Sequence, residues 1–141
     1  MAQKIILLED DPDIAWLVQL QLERAGYNVH TACDGNSGLC EFLNAGADLL
    51  LLDIDLPGIS GWDVYARVRE RSAIPIIMLT AYPQQQNGLP QSFGRSNDGY
   101  ISKPFTFPQL LESIQTLIRV NEDASIPTKL SPKPDSYLTY R

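Results

Sequence analysis

The 141-residue sequence lacks several features that would place it in other classes of protein. It contains no apolar run near the ~20 residues that a membrane-spanning helix needs. Its first residues turn acidic at Glu9, too early for the apolar core of a signal peptide. Two cysteines, Cys33 and Cys40, have a spacing that fits no zinc or redox motif. We therefore expect a soluble cytoplasmic protein that makes no membrane contact.

Basic charge and histidine are also scarce. The formal net charge is −6, and residues 1–121 hold 8 lysines and arginines against 14 acidic residues, whereas residues 122–141 hold 3 of each. Binding to nucleic-acid phosphates requires a basic surface, so we expect that residues 1–121 do not bind DNA by themselves. The single histidine, His30, has no partner at a metal-binding or catalytic spacing, and we interpret it as structural.

What the sequence does contain is a series of short apolar runs separated by helical patterns. Residues 5–8, 49–52 and 74–79 are nearly unbroken apolar runs, typical of strands that are covered on both faces. Residues 27–31 alternate as a strand, and Ile101 lies in a short fifth strand. This alternation predicts parallel strands in a doubly wound, three-layer α/β/α sandwich. The predicted buried helix faces are Ile14, Leu17, Val18 and Leu22; Leu39, Phe42, Leu43 and Gly46; Gly61, Val64, Tyr65 and Val68; and Leu110, Leu111, Ile114, Leu117 and Ile118.

The composition changes at residue 122. Pro127, Pro132 and Pro134 lie among serine, threonine, lysine and aspartate, which is typical of an extended linker. The last five residues, 137–141, are strand-forming and suggest the first strand of a further domain. A frayed tail fits the same composition equally well. We therefore divide the chain into a domain of residues 1–121 and a linker of residues 122–141.

Polar side chains follow four of the predicted strands. Glu9 and Asp10 come after the first strand, Asp53 ends the third, Thr80 ends the fourth and Lys103 follows the fifth. Because the carboxyl ends of parallel strands meet at one edge of a sheet, we expect these side chains to lie close together. Two carboxylates 4 Å apart repel each other by about 4 kcal/mol at an effective dielectric constant near 20. Such a cluster predicts a divalent cation, and oxygen ligands at a shallow site favour Mg²⁺.

The same residues suggest phosphoryl chemistry. Asp53 could attack a phosphorus atom as a carboxylate nucleophile. Mg²⁺, the ammonium group of Lys103 and the hydroxyl of Thr80 could stabilise the charge on the transferring phosphoryl oxygens. Each residue alone also has a structural explanation, for example a polar strand terminus at Asp53. Their joint placement favours a functional site.

Four motifs now give the chain a clear resemblance. Over residues 3 to about 120, the sequence resembles the receiver domain of two-component response regulators. That resemblance implies a flavodoxin-like, five-stranded parallel sheet with strand order 2-1-3-4-5. It also implies that residues 122–141 lead into a winged-helix DNA-binding domain that regulates transcription. The motifs, in chain order, are LLEDDP, LLLLDIDLPGISG, IPIIMLTA and DGYISKPF.

The resemblance assigns expected roles to individual residues. Asp53 would accept a phosphoryl group from a sensor histidine kinase, so the chain would be a signalling switch and not an enzyme. Lys103 would bind the phosphoryl group, and the Lys103–Pro104 peptide bond would be cis. Thr80 and Tyr100 would form the pair that responds to phosphorylation. The implied Mg²⁺ ligands are Glu9 and Asp10, with Asp10 binding directly, the Asp53 side chain and the backbone carbonyl of Asp55.

The chain departs from the family pattern in the region that usually carries output. Residues 81–99 contain Pro83, Gly88, Pro90 and Gly94 where the family has a helix, so we expect this segment to be the most mobile. Gln109 and Ser113 stand where glutamate and arginine are common. We therefore expect phosphorylation to be weakly coupled to dimerisation. An atypical receiver that binds a partner, or a second copy, independently of phosphorylation is the alternative.

A phosphatase of the haloacid-dehalogenase type is a second alternative, from a different class. It would use Asp53 as nucleophile and Asp55 as general acid, in the pattern D-x-D after an apolar strand. However, its nucleophile strand should come first in the chain, and a second acidic pair should follow the lysine. Here the acidic pair, Glu9 and Asp10, comes first, which disfavours this interpretation.

Overall fold

The computed structural model describes residues 2–81 and 97–124, with side chains up to residue 120. Strands and helices alternate along the chain, as the apolar runs predict. The final helix continues beyond residue 121, where the composition changes. The elements are β1 (Lys4–Leu8), α1 (Pro12–Arg24), β2 (Asn28–Ala32), α2 (Gly35–Ala45), β3 (Leu49–Asp53), α3 (Gly61–Arg69), β4 (Ile76–Thr80), β5 (Asp98–Ser102) and α4 (Phe107–Ala124).

The five strands form one parallel sheet in the order β2-β1-β3-β4-β5. This confirms the predicted fold class and strand order. The strand starts differ slightly from prediction, because β2 begins at Asn28 and β4 at Ile76. Residues 82–96 and 125–141 lie outside the described residues. The predictions of a mobile segment between β4 and β5 and of a following domain fall mostly on those residues.

The core has two halves, one on each face of the sheet. Leu49 and Leu51 of β3 face α1 and α4, whereas Leu50 and Leu52 face α2 and α3. All four side chains are at most 1% exposed. Burying a leucine contributes about 1.5–3 kcal/mol, so a strand covered on both faces gains from an unalternated apolar run. This explains why β3 reads as four consecutive leucines, and it places the end of β3 at the centre of the sheet edge.

Helix α1 buries a narrower face than predicted. Val18 and Leu22 are buried together with Ala15, but Ile14 is 38% exposed and Leu17 is 50% exposed. Periodicity identified the apolar residues, but the sheet covers only part of the apolar stripe. Trp16, on the same helix, is 64% exposed. The surface of α1 therefore presents apolar side chains to the outside of the described domain.

The predicted face of α2 is also wrong at two positions. Leu39 and Phe42 are buried, but Leu43 is 48% exposed. Gly46 lies beyond the helix, with φ +72°, and its N–H donates to the carbonyl of Phe42 at 2.7 Å. Glycine adopts this left-handed φ at little cost, so Gly46 ends the helix and does not pack on the sheet.

The last helix, α4, packs largely as predicted. Leu110, Ile114, Leu117 and Ile118 are buried, and Leu111 is half-buried. Within residues 2–81 and 97–124, every helix is too short or too polar to cross a membrane.

Candidate functional site

Side chains from distant parts of the chain converge at the carboxyl edge of the sheet. Glu9 and Asp10 follow β1, and Asp53 is the last residue of β3. One carboxylate oxygen from each of the three lies within 4.8 Å of the others. Lys103, which follows β5, reaches across to the same place. The structure thus brings together the four charged residues that the strand ends predicted.

The Asp53 carboxylate is held at both oxygens. Its Oδ1 accepts the backbone N–H of Asp55 at 3.1 Å, and its Oδ2 lies 3.1 Å from Nζ of Lys103. The residue is 5% exposed, at the end of a strand whose other side chains are buried. Hydrogen bonds to both oxygens fix the carboxylate plane, so Asp53 is oriented by backbone and by a cation from another strand.

Glu9 and Lys103 form the second ion pair of the cluster. Oε1 of Glu9 lies 2.9 Å from Nζ of Lys103, and Oε2 accepts the backbone N–H of Asp11 at 3.2 Å. Burial raises the pKa of Glu9 above its usual range, although the Lys103 hydrogen bond acts in the opposite direction. Burial alone would lower the pKa of Lys103, but hydrogen bonds to Glu9 and Asp53 outweigh it and the pKa is raised.

The two pKa directions agree with the different exposure of the partners. The Glu9 side chain is 2% exposed and the Lys103 side chain is 21% exposed, so loss of hydration weighs more on the carboxylate. Lys103 is therefore firmly cationic. Burial disfavours the ionised form of Glu9, and the ammonium group of Lys103 does not fully offset this effect.

The donor set fits a divalent cation. Three carboxylates meet here beside one ammonium group, which pairs with Glu9 and Asp53, so a formal excess of negative charge remains at the edge of the sheet. Asp10 is exposed, so the cluster is open to solvent on one side. Oxygen-only ligands with an open side suit Mg²⁺, which retains several water molecules. Glu9, Asp10 and Asp53 are the residues whose side chains would hold the ion.

Thr80 and Tyr100 occupy different positions relative to this cluster. Thr80 ends β4, is 3% exposed, and its carbonyl accepts the backbone N–H of Lys103 at 2.6 Å. It therefore lies at the edge where the charged residues meet. Tyr100 lies in the middle of β5, opposite Met78 of β4, and packs against the α2/α3 side of the core. Tyr100 is thus below the acidic cluster and not part of it. The Lys103–Pro104 peptide bond is cis.

One feature near Asp53 escaped prediction. Gly61 is the first residue of α3, and a Cβ there would lie 2.7 Å from Cα of Ile54 and would also contact the carbonyl oxygen of Asp53. Gly61 donates its N–H to the carbonyl of Ile54 at 2.9 Å. The absence of a side chain lets α3 begin directly against the end of β3. A glycine immediately after the helix-capping Ser60 was the available signal.

An apolar groove beside the charged cluster also escaped prediction. A cavity of about 490 Å³ lies between α1 and the segment that follows β5. Its walls include Ile14 and Leu17 from α1 and Lys103, Pro104 and Phe105 from the other side. Ile14 and Leu17, two of the exposed apolar residues of α1, therefore line the same groove as Lys103, which contacts Asp53.

Comparison with known proteins identifies the class. The response regulator receiver domain family matches residues 5–115, and the chain belongs to that family. A DNA-binding dual master transcriptional regulator, RpaA from Synechocystis sp., is 40% identical over 119 residues, which cover 82% of this chain and 49% of that protein. The chain spans about half the length of the curated relatives that it matches.

Solved structures agree with this assignment. The response regulator TrrA from Thermotoga maritima, crystallised with Mg²⁺ and BeF, is 34% identical and superposes with a TM-score of 0.72, over 82% of this chain and 98% of that one. A second structure holds TrrA in complex with the histidine kinase ThkA, with a TM-score of 0.71 and 34% identity, over 82% of this chain and 97% of that one. This chain therefore has the fold of a receiver domain. In a relative, a domain of that fold is found in complex with a histidine kinase.

Proposed function

We propose that this receiver domain accepts a phosphoryl group on Asp53 from a histidine kinase, in a reaction that needs Mg²⁺. The observation that carries the proposal is the bridge made by Lys103, whose ammonium group contacts both Asp53 and Glu9 within the acidic cluster. A lysine that only balanced surface charge would have no reason to lie between two buried carboxylates of separate strands. A lysine that contacts an incoming phosphoryl group would have a reason to lie between them.

The transfer follows from the atoms at the site. An oxygen of the Asp53 carboxylate forms a bond to phosphorus while the bond from phosphorus to the histidine nitrogen of the kinase breaks. The product is an aspartyl phosphate and a neutral imidazole, whose N–H is the proton that the other ring nitrogen of the phosphohistidine carries. Lys103 offsets the negative charge that gathers on the phosphoryl oxygens, and the backbone N–H of Asp55 keeps the carboxylate oriented. Mg²⁺, when bound, supplies further stabilisation of that charge.

Metal binding would use the acidic residues already described. Glu9, Asp10 and Asp53 would contribute side-chain oxygens, and the backbone carbonyl of Asp55 would complete the protein ligands. Thr80 would then direct its hydroxyl to the phosphoryl group, and Tyr100 would move with it. The position of Thr80 at the end of β4, between the strands that carry Asp53 and Lys103, supports this role.

The groove beside Lys103 supports a protein as the phosphoryl donor. A histidine on a kinase must reach Asp53, and the donor must bind next to it without covering it. Ile14 and Leu17 are partly exposed and line the groove beside Lys103, so they offer apolar contact there, in contrast to the exposed Asp11 and Asp13 at the start of the same helix. The relative that occurs in complex with a histidine kinase favours the same partner.

The output of the switch lies beyond the described residues. The matched segment covers about half the length of relatives that include a DNA-binding regulator, so we infer that the native protein controls transcription through a further, DNA-binding domain. A protein with this role works in the cytoplasm. We infer that the domain is a signalling switch that loses its phosphoryl group slowly, and not an enzyme. We also infer little gain of dimerisation on phosphorylation, because Gln109 and Ser113 are uncharged.

Labelling with acetyl phosphate and Mg²⁺, followed by intact-mass spectrometry, tests the proposal. We expect a gain of one phosphoryl group in the wild type and none in Asp53→Asn or after addition of EDTA. Asp55→Asn is the matched control, because it removes a neighbouring carboxylate but keeps the backbone N–H and carbonyl. Labelling of Asp53→Asn would refute the proposal. A label that persists only in Asp55→Asn would favour the phosphatase instead, with Asp55 as general acid.

A further inference from the structure

A second group of buried polar side chains lies at the amino edge of the sheet, opposite the acidic cluster. Arg69 ends α3 and Asp98 begins β5, and their Nη2 and Oδ1 atoms are 2.6 Å apart. The two side chains are 7% and 0% exposed. The hydroxyl of Tyr65 donates to Oδ2 of Asp98 at 2.7 Å. We refer to Tyr65, Arg69 and Asp98 as the α3–β5 clasp.

The guanidinium group of Arg69 also binds backbone from three directions. Nη1 donates to the carbonyls of Ser72 and Ile74 at 3.2 and 2.6 Å, and Nη2 donates to the carbonyl of Asn97 at 3.1 Å. The group lies over the ring of Tyr65, 5.4 Å from its centre. Only the planar fork of arginine can serve these acceptors together. The clasp therefore ties the end of α3, the approach to β4 and the approach to β5 into one unit.

Asp98 and Tyr100 lie two residues apart in β5. Residues two apart in a strand face the same side of the sheet, so both side chains face α3. Tyr65 is 0% exposed and belongs to the core cluster against which Tyr100 packs. Asp98 pairs with Ile76, and Tyr100 pairs with Met78. The place where the clasp holds Asp98 thus sets where Tyr100 meets the core.

The strand β5 pairs with β4 at all five of its residues. Its only strand partner among the described residues is β4, so it lies at the edge of the described sheet. Its second residue, Gly99, carries no side chain, and a Cβ there would lie 2.9 Å from Cδ1 of Leu117 and 3.1 Å from Cγ1 of Ile77. This five-residue edge strand, which contains a glycine, has a further anchor at its amino end. The clasp provides that anchor with a buried ion pair.

We propose that the α3–β5 clasp is a positioning device for Tyr100. It fixes the amino end of β5 on α3. A structural change at Asp53 and Thr80 then moves Tyr100 against the core, because β5 cannot slide as a whole. Tyr65, Arg69 and Asp98 are positioning residues, because they act through Tyr100 and not on the reacting atoms. The part of the proposal that concerns signalling rests on the proposed phosphoryl acceptance.

Met78 gives a direct probe of this device. The chain contains two methionines, Met1 and Met78, so a spectrum of ¹³C-methyl methionine contains one signal from the core. Met78 is 0% exposed and lies opposite Tyr100. Its methyl signal is recorded without ligand and with Mg²⁺ and beryllofluoride, a phosphoryl mimic. Binding of the mimic is followed separately by ¹⁹F NMR.

Tyr65→Phe removes one hydroxyl, and Arg69→Lys keeps the charge but loses the fork. In both, we expect the ligand-free Met78 signal to broaden or split, because β5 is no longer held in one position. We also expect the mimic still to bind, while the shift of the Met78 signal that it causes falls to about half of the wild-type shift or less. The matched control is Val29→Ala, in the opposite half of the core. Its spectra are recorded at a temperature at which it has lost the same fraction of folded protein as the clasp variants.

The outcomes separate the two proposals. If Tyr65→Phe and Arg69→Lys keep a single sharp Met78 signal without ligand and the full shift with the mimic, while losing as much thermal stability as Val29→Ala, the clasp is structural only and the inference is wrong. If the wild type binds no mimic at all, the proposed phosphoryl acceptance fails. The ligand-free signal then still decides whether the clasp positions β5.

Discussion

Nζ of Lys103 lies 3.1 Å from Oδ2 of Asp53, although 50 residues separate them in the sequence. The contact exists because β5 and β3 end at the same edge of the sheet. It places a cation where an anionic donor must approach an anionic acceptor. At 4 Å, two negative charges repel each other by about 4 kcal/mol at an effective dielectric constant near 20. A neighbouring cation offsets a repulsion of this magnitude between donor and acceptor.

Lys103 offsets only part of the charge of the cluster, and this gives a prediction for Asp10. We expect Asp10→Ala to lose most of its Mg²⁺ affinity, while the metal-free protein unfolds at the same temperature as the wild type or higher. Asp10 is exposed, and its replacement removes a like charge from Glu9 and Asp53. Thermal melts with and without Mg²⁺ measure both effects. A large drop in the metal-free melting temperature would show that the Asp10 carboxylate is structural.

Glu9 gives a prediction for the pH dependence of stability. Burial raises its pKa in the folded protein above the ordinary value of 4.5. The contribution of Glu9 to the free energy of unfolding is thus fully present below 4.5 and is lost as pH rises through the folded pKa. In Glu9→Gln this dependence is absent. We therefore expect the wild type, without metal, to lose stability relative to Glu9→Gln as the pH rises from about 4.5 toward neutrality.

Urea unfolding of both proteins across this pH range, in EDTA, measures the difference. The same series in Mg²⁺ is the control, because a bound cation favours the carboxylate and should reverse the slope. If the wild type gained stability over Glu9→Gln with rising pH in EDTA, pairing with Lys103 would outweigh burial of the carboxylate.

The sequence predicted the parts of this protein that depend on local patterns. The apolar runs gave the strands, and the strand ends gave Glu9, Asp10, Asp53 and Lys103 as neighbours, because parallel strands end together. Exposure of Leu17 could not be predicted, since periodicity reports apolarity and not the width of the surface that covers it. The pairing of Arg69 with Asp98 could not be predicted either. It joins residues 29 apart on different elements, and although Asp98 begins one of the motifs, nothing in the sequence marks Arg69 as its partner.

Gly61 leads to a prediction about the acceptor strand. In Gly61→Ala the new methyl group meets backbone of Asp53 and Ile54, which has little freedom to move. We expect a loss of about 1–3 kcal/mol in stability and slower labelling of Asp53, because the end of β3 must shift. Gly38→Ala is the control: its methyl group meets Cδ2, Cγ and Cδ1 of the Leu8 side chain, on the same face of the sheet.

Unfolding in urea and the rate of labelling by acetyl phosphate separate the two effects. Gly38→Ala should lose stability but label at a rate close to that of the wild type. Equal labelling rates for Gly61→Ala and Gly38→Ala, at similar stability, would mean that the contact between α3 and the end of β3 does not affect Asp53.

The final prediction concerns the surface that receives the phosphoryl donor. Leu17 is 50% exposed and lines the groove beside Lys103, whereas Leu43 of α2 is 48% exposed and is not among the residues that line it. The two leucines therefore differ in place but hardly in exposure. We expect Leu17→Asp to slow phosphoryl transfer from a histidine kinase by about tenfold or more, equivalent to about 1.4 kcal/mol, because a charged group replaces an apolar contact. Labelling by acetyl phosphate, which needs no docking surface, should be unchanged in both variants. The kinase is chosen as the fastest donor from a panel of autophosphorylated kinase cores. If Leu43→Asp slowed that transfer as much as Leu17→Asp, the effect would come from added negative charge and the groove beside Lys103 would not be the docking surface.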